Sequence, residues 1–180
     1  MSANPEDYRR SRMPSEDQQN YGWTIVRAPA AGKLSLIILS EDVFGIETHY
    51  WNHRTGPCLV CSCPACENGH VSRWKGYLLC LNTKNEQNVV LEFTPAAAQV
   101  LDDAKKNHGT LRGVCIHVSR AKPTINGKVV ITILKKITLP QGQHIVYGVW
   151  DVLARIWRLK TARPIKKGFG VQQPELPYDE

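Results

Sequence analysis

The chain has 180 residues, of which 42% are hydrophobic, and its formal net charge is +7. This length suits one folded domain with flanking segments, and no apolar run approaches the 18 residues of a membrane-spanning helix. The first 20 residues also lack the apolar stretch of a signal peptide. We therefore expect an intracellular protein, cytoplasmic and of prokaryotic or phage type, with reduced thiols.

The positive charge is concentrated in the part of the chain that has the composition of a folded domain. Residues 33–136 hold 13 basic and 8 acidic side chains, and residues 137–180 hold 6 and 4. Residues 1–32 balance, with four of each. A moderately basic folded domain favours polyanionic partners such as nucleic acids.

Strand-like segments follow a polar N-terminal stretch. Residues 1–22 predict a flexible leader, because they contain little that could be buried. Apolar, β-favouring residues then predict a strand over 34–39 that continues over 43–51 past a kink at Gly45, as one bent strand or two short ones. Further strands are predicted over 73–81, 89–93, 111–120 and 128–137.

One helix is predicted between the third and fourth strands, over about 95–108. Thr94 suits the N-cap and Pro95 the first helical position, and Gly109 suits the C-terminal stop. Its apolar residues recur at helical spacing and form one stripe. These residues are Ala97, Val100, Leu101 and Ala104.

This order of elements predicts a mainly β fold, a β-barrel of the OB type with five strands and one helix between strands 3 and 4. An SH3-like barrel and an α+β sheet are the alternatives. The predicted OB-fold domain spans 23–138, with a zinc-binding loop over 53–72 after strand 1. A basic helical extension follows over 139–170, in which a helix at 145–159 could self-associate, and 171–180 form an acidic, Pro-rich tail.

Four of the six cysteines lie within nine residues, and such crowding in a reducing compartment indicates a metal site. The segment Cys63-Pro-Ala-Cys66, followed by Gly69, matches a zinc knuckle. A structural zinc needs four ligands, but two C-x2-C pairs separated by one residue would strain a tetrahedron, so we expect one ligand from further away. The preferred ligand set is His49, Cys58, Cys63 and Cys66, with Cys61 and His53 in reserve.

Other interpretations of the cysteines have less support. Metal-free thiols or a redox dithiol are alternatives, but a redox C-x2-C would open a helix in an α/β pattern. A catalytic zinc needs an open position and a general base, and the deaminase signature H-x-E is missing around His49 and His53. No nucleophile–base pair or phosphate-binding Gly loop stands out, so we expect no enzyme. Cys80 and Cys115 lie in predicted strands and are expected in the core.

The predicted nucleic-acid contacts follow from where OB-folds bind single strands, on strands 2 and 3 and the loops beside them. Aromatic rings would stack on bases, and cations would contact phosphates. Trp74 and Tyr77 are three residues apart in one strand and face opposite sides, so one of them should be buried. The candidate contacts are Trp51, Arg54, Arg73, Trp74, Lys75, Tyr77, Arg120, Lys122 and Lys128.

A barrel with His-Cys-Cys-Cys zinc ligands that end in a C-x2-C pair resembles the zinc-containing single-stranded DNA-binding proteins of tailed phages. The resemblance covers roughly residues 33–137, and the matching ligands are His49, Cys58, Cys63 and Cys66. It implies a zinc subdomain that interrupts an OB-fold and a cleft lined by aromatic and basic side chains. By analogy, the tail at 174–180 could contact replication partners.

The sequence as a whole predicts a non-enzymatic, largely sequence-independent single-stranded DNA-binding protein with a structural Zn²⁺. Its partners would be single-stranded nucleic acid, DNA before RNA, and replication or recombination proteins, with no membrane. One alternative is a zinc-stabilised protein-interaction module in a replication, recombination or other nucleic-acid complex. The other alternative is an RNA-binding protein.

Overall fold

The fold is mainly β, as predicted. The computed structural model describes residues 22–58, 63–124, 126–139 and 148–159, of which 42% lie in strands and 21% in helices. The strands are β1 (Thr24–Val26), β2 (Lys33–Ile38), β3 (Phe44–Trp51), β4 (Arg54–Pro57), β5 (Arg73–Asn82), β6 (Gln87–Phe93), β7 (Val114–Arg120) and β8 (Val129–Lys136). The helices are α1 (Pro64–Glu67), α2 (Pro95–His108) and α3 (Val149–Ile156). Within these ranges no helix combines the length and apolar character needed to cross a membrane.

Most predicted elements lie where the sequence placed them. Helix α2 has the predicted bounds, because Pro95 begins it and Gly109 ends it in the left-handed conformation that glycine adopts readily. Of the two forms expected for 34–51, the structure has two separate strands, β2 and β3. The break lies between them rather than at Gly45, which is inside β3. The sequence did not predict β1, β4 or α1.

The eight strands form one sheet that is not closed. Antiparallel pairing joins β6, β5, β2, β7 and β8 in that order, while β3 extends the sheet from β5 and carries β4. Strand β1 pairs with β6 in parallel. Closure of the predicted barrel would need the outer edge of β6 to pair with β8, and β1 already occupies that edge.

One face of the sheet packs against α2. Leu36, Leu78 and Ile116 of the sheet are fully buried there, together with Leu101 of the helix. Val100, predicted to belong to the buried stripe, is instead 37% exposed, and Ala98 is buried in its place. The main core therefore lies between the sheet and the side of α2 that carries Ala97, Ala98, Leu101 and Ala104.

The opposite face of the sheet is covered by Trp23 and by α3. Val152 and Leu153 of α3 are buried against Tyr77 and Leu79 of β5. Helix α3 falls within the helix predicted at 145–159, of which residues 145–147 lie outside the described ranges. Its apolar side therefore packs against its own chain, and self-association through this segment stays a prediction.

Candidate functional site

A tight hairpin brings His49 and Cys58 together. Strands β3 and β4 are joined by Asn52 and His53, whose φ angles are +49° and +60°. Two positive φ angles in a two-residue loop are the type I′ pattern, which matches the twist of paired strands. The register pairs His49 with Gly56, and the chain continues from β4 so that the Cys58 amide donates to the Glu47 carbonyl at 2.8 Å.

The knuckle, residues 63–69, provides two more sulfurs. Cys63 is the N-cap of α1 and Pro64 follows in its first turn. The Gly69 amide donates to the Cys66 carbonyl at 2.9 Å, and Gly69 has a φ of +74°, which explains why glycine suits this position. The one-turn helix thus holds Cys63 and Cys66 on a compact, hydrogen-bonded turn, as the C-P-x-C pattern predicts.

Four side chains converge into a metal cluster, defined as His49, Cys58, Cys63 and Cys66. Their ligand atoms all lie within 4.8 Å of one another. The Cys66 Sγ lies 3.6 Å from the Cys58 Sγ and 3.3 Å from the His49 Nε2. Tetrahedral zinc with bonds of about 2.3 Å to sulfur separates two sulfurs by roughly 3.8 Å. The preferred ligand set therefore lies close enough to hold a metal ion.

The thiols of the cluster affect one another's protonation. A hydrogen bond with the Cys58 thiol, followed by desolvation and contact with Cys63, raises the pKa of Cys66 to about 11. A bound cation would favour the thiolate forms and release their protons. His49 is buried, and its Nδ1 has no hydrogen-bond partner in the described part of the chain. Its Nε2 lies 3.3 Å from the Cys66 Sγ, so this is the ring atom that would bind a metal among the thiols.

The reserve ligands and the remaining cysteines lie elsewhere. His53 is exposed in the hairpin turn and is not part of the metal cluster. Cys61 lies outside the described residues. Cys80 and Cys115 are buried in the sheet as predicted, and burial raises the pKa of the Cys80 thiol, which makes it a core residue rather than a reactive one.

The structure corrects the predicted role of Tyr77. Its ring is fully buried and packs edge-on against Trp157, with ring centroids 5.6 Å apart. Burial raises the pKa of its phenol, and its hydroxyl donates to Glu92 at 3.4 Å. Tyr77 therefore has no surface to offer a base. Trp74 faces the other side, as alternation predicts, and is half-buried edge-on to Phe93.

Two of the predicted phosphate contacts already have partners within the protein. The Lys75 Nζ lies 3.4 Å from a carboxylate oxygen of Glu92. The Arg120 guanidinium donates to the carbonyls of Ala28 and Gly127 at 3.0 and 2.8 Å, which fixes the β7–β8 connection. The other predicted basic contacts are exposed, namely Arg54, Arg73, Lys122 and Lys128.

An open cleft of about 890 Å³ adjoins the metal cluster. It is lined by the hairpin (51–52 and 54–57), the knuckle (63–65), the end of α3 (156–159) and two residues of the β1 region. His49 and Cys63 of the metal cluster also line it. The charged and aromatic side chains in this lining are Arg27, Arg54, Arg158, Trp51 and Trp157. No acidic residue lines the cleft in the described part of the chain.

The cleft only partly matches the surface expected from the sequence. Trp51 and Arg54 were predicted contacts, and Arg158 belongs to the basic extension predicted over 139–170, whereas Arg27 and Trp157 were not predicted to contact a strand. No pattern in the sequence indicated Arg27, because β1 has only three residues and pairs with a strand 65 residues further along.

Comparison with protein-family models, with curated protein sequences and with solved structures finds no match. The resemblance to the phage DNA-binding proteins therefore stays a prediction. Function has to be inferred from the metal cluster, the cleft and the charges around them.

Proposed function

We propose that this protein is a largely sequence-independent, non-enzymatic single-stranded DNA-binding protein with an OB-type fold and a structural zinc. The observation that carries the proposal is the cleft, which combines arginine and tryptophan side chains and has no acidic residue in its described lining. Sites for single strands combine a positively charged groove with aromatic rings on which bases stack. Every base can stack on an aromatic ring, so binding at such a site does not depend on the base sequence of the strand.

Two of the three arginines that line the cleft are available to a ligand. Arg54 and Arg158 are exposed, and neither forms an ion pair within the described residues. Arg27 differs, because it pairs with Glu92 through contacts of 2.9 and 3.0 Å. Guanidinium groups suit phosphate because they present several donors in one plane. Arg54 and Arg158 thus have the chemistry to contact the backbone of a strand.

Zinc fits the metal cluster by ligand chemistry and spacing. Three thiols and an imidazole are typical zinc ligands, and four protein ligands make a closed, structural site rather than a catalytic one. When bound, zinc would tie the β3–β4 hairpin to the knuckle. Both segments line the cleft, so the metal would fix the shape of the binding surface.

The OB assignment rests on the order of elements and pairings. Strands β2 and β3 together act as one long first strand, which pairs with β5 and with β7, and α2 lies between β6 and β7. An OB-fold is a partly open Greek-key barrel with one helix in this position. Strand β1, which pairs with β6 where a closed barrel would have β8, would make this a variant of that fold.

The test is a fluorescence-anisotropy titration of labelled single-stranded DNA, duplex DNA and single-stranded RNA at 50 and 200 mM salt. We expect the tightest binding to single-stranded DNA, with affinity that falls as salt increases. Trp51→Ala should weaken binding roughly 5- to 150-fold, the range for loss of one stacked base. Lys84→Gln is the matched control, because Lys84 is exposed in the β5–β6 turn, at the end of β5 remote from the metal cluster.

Each other outcome of the titration favours a different function. Tighter binding to RNA than to DNA would make the protein an RNA-binding protein. Folded, zinc-loaded protein that binds no strand at either salt concentration would refute the proposal and favour the protein-interaction module.

A further inference from the structure

The residue after α3 has an unusual backbone conformation. Arg158 has a φ of +56°, and its amide donates to the Arg155 carbonyl at 3.0 Å, while the next amide, of Leu159, donates to Ala154 at 2.8 Å. This is the left-handed position that ends many helices and that glycine usually occupies. A side chain is strained there, so an arginine at this point is not explained by the helix end alone.

The segment that carries Arg158 is fixed to the sheet. The Trp157 ring lies 5.6 Å from the Tyr77 ring and 6.4 Å from the Trp150 ring. One turn earlier, Leu153 is fully buried. We call residues 156–159 the C-terminal wall, because all four line the cleft. The C-terminal wall is therefore held in place by the packing of α3 against the sheet.

We infer that the C-terminal wall is part of the binding site, and that Arg158 contacts a phosphate of the single strand held in the cleft. This inference rests on the proposed function and adds to it a binding residue outside the predicted barrel surface. Arg54 reaches the cleft from the hairpin and Arg158 from the C-terminal wall. A strand in the cleft would thus contact cations contributed by two distant parts of the chain.

Two other cations of this region, Arg27 and Lys75, are weaker candidates for a phosphate contact. Arg27 lines the cleft, but it is held in an ion pair with Glu92, and its Nη2 also donates to Thr55 at 3.4 Å. Lys75 shares the same carboxylate. Arg158 makes no ion pair in the described part of the chain, so its charge is not offset there.

The test compares Arg158→Gly, Arg158→Gln and the control Lys84→Gln in the full chain loaded with zinc. Glycine relieves the left-handed strain, so Arg158→Gly should unfold at the same or a higher temperature than the wild type. Both Arg158 variants should nevertheless bind single-stranded DNA about 5- to 10-fold more weakly at 50 mM salt, because they make one fewer phosphate contact. The plot of log K against log salt should also become less steep, by about 0.7 in slope. Lys84→Gln should change neither the unfolding temperature nor the affinity for single-stranded DNA and its dependence on salt.

The outcomes separate this inference from the proposed function. Wild-type protein that binds no single-stranded DNA would overturn both. Wild-type binding with an unchanged affinity and salt slope in both Arg158 variants would overturn this inference alone. A weaker affinity only in the variant that also unfolds at a lower temperature would assign Arg158 a structural role, and would also overturn it.

Discussion

Removal of the metal from the wild type and from a His49→Ala variant tests the proposed zinc site by its effect on stability. His49 lies on β3, whereas Cys58, Cys63 and Cys66 lie beyond the hairpin, so a metal held by all four closes a loop of roughly 18 residues from His49 to Cys66. A metal that binds the folded site and leaves the unfolded chain stabilises the fold by RT ln(1 + [Zn²⁺]/Kd), which is about 3 kcal/mol when free zinc is 100 times Kd.

The assay is urea unfolding followed by tryptophan fluorescence, with bound zinc and after treatment with a chelator. We expect the chelator to lower the free energy of unfolding of the wild type by about 3 kcal/mol or more. In His49→Ala the metal can no longer tie the knuckle to β3, so the chelator should have a much smaller effect. The cavity left by the buried imidazole is present with and without metal, and its cost cancels in this comparison.

Two results would refute the reasoning. If the chelator changed the unfolding free energy of the wild type by less than about 1 kcal/mol, the cluster would not be a structural metal site of the kind proposed. If the chelator destabilised His49→Ala as much as the wild type, the metal would bind without His49, and the cross-link to β3 would not exist.

Three further predictions concern the metal cluster and the two cores. Zinc affinity should rise from pH 6 to pH 8 in competition with a chromophoric chelator, because the raised pKa of Cys66 means that zinc must displace a thiol proton; a flat profile would contradict this. Leu153→Ala should lower the free energy of unfolding by about 3 kcal/mol, measured in urea, whereas no change would show that α3 does not contribute to the core. Gly76→Ala should destabilise by about 1–3 kcal/mol, since its methyl group would lie 2.4 Å from the Phe93 ring; a fully stable variant would show that this ring can move.

The sequence predicted the elements that depend on local signals. Helix α2 has its predicted bounds because Pro95 and Gly109 act within one turn of the chain. The four residues of the metal cluster were also predicted, since the tight spacing of the cysteines favoured one ligand from further away. His49, at the end of β3, lies close enough to the three cysteines to hold a metal ion with them.

The parts that depend on distant pairing were not predictable in the same way. Strand β1 has three residues, and its pairing with β6 leaves no periodic pattern in the sequence. The alternation of Trp74 and Tyr77 correctly placed them on opposite faces, but it could not show that α3 covers one face and α2 the other. For the same reason the cleft was only partly foreseen, because its lining combines residues near 27, 54 and 158.

The position of α3 also affects how the chain can fold as it is synthesised. The face of the sheet that carries Tyr77, Leu79 and Val90 is covered by Val152 and Leu153, which emerge from the ribosome after all eight strands. Until then this face is an exposed apolar surface of the kind that promotes aggregation. A chain shortened at residue 138, the predicted end of the barrel, would keep that surface uncovered permanently. For recombinant production, the protein should therefore be expressed with α3 included.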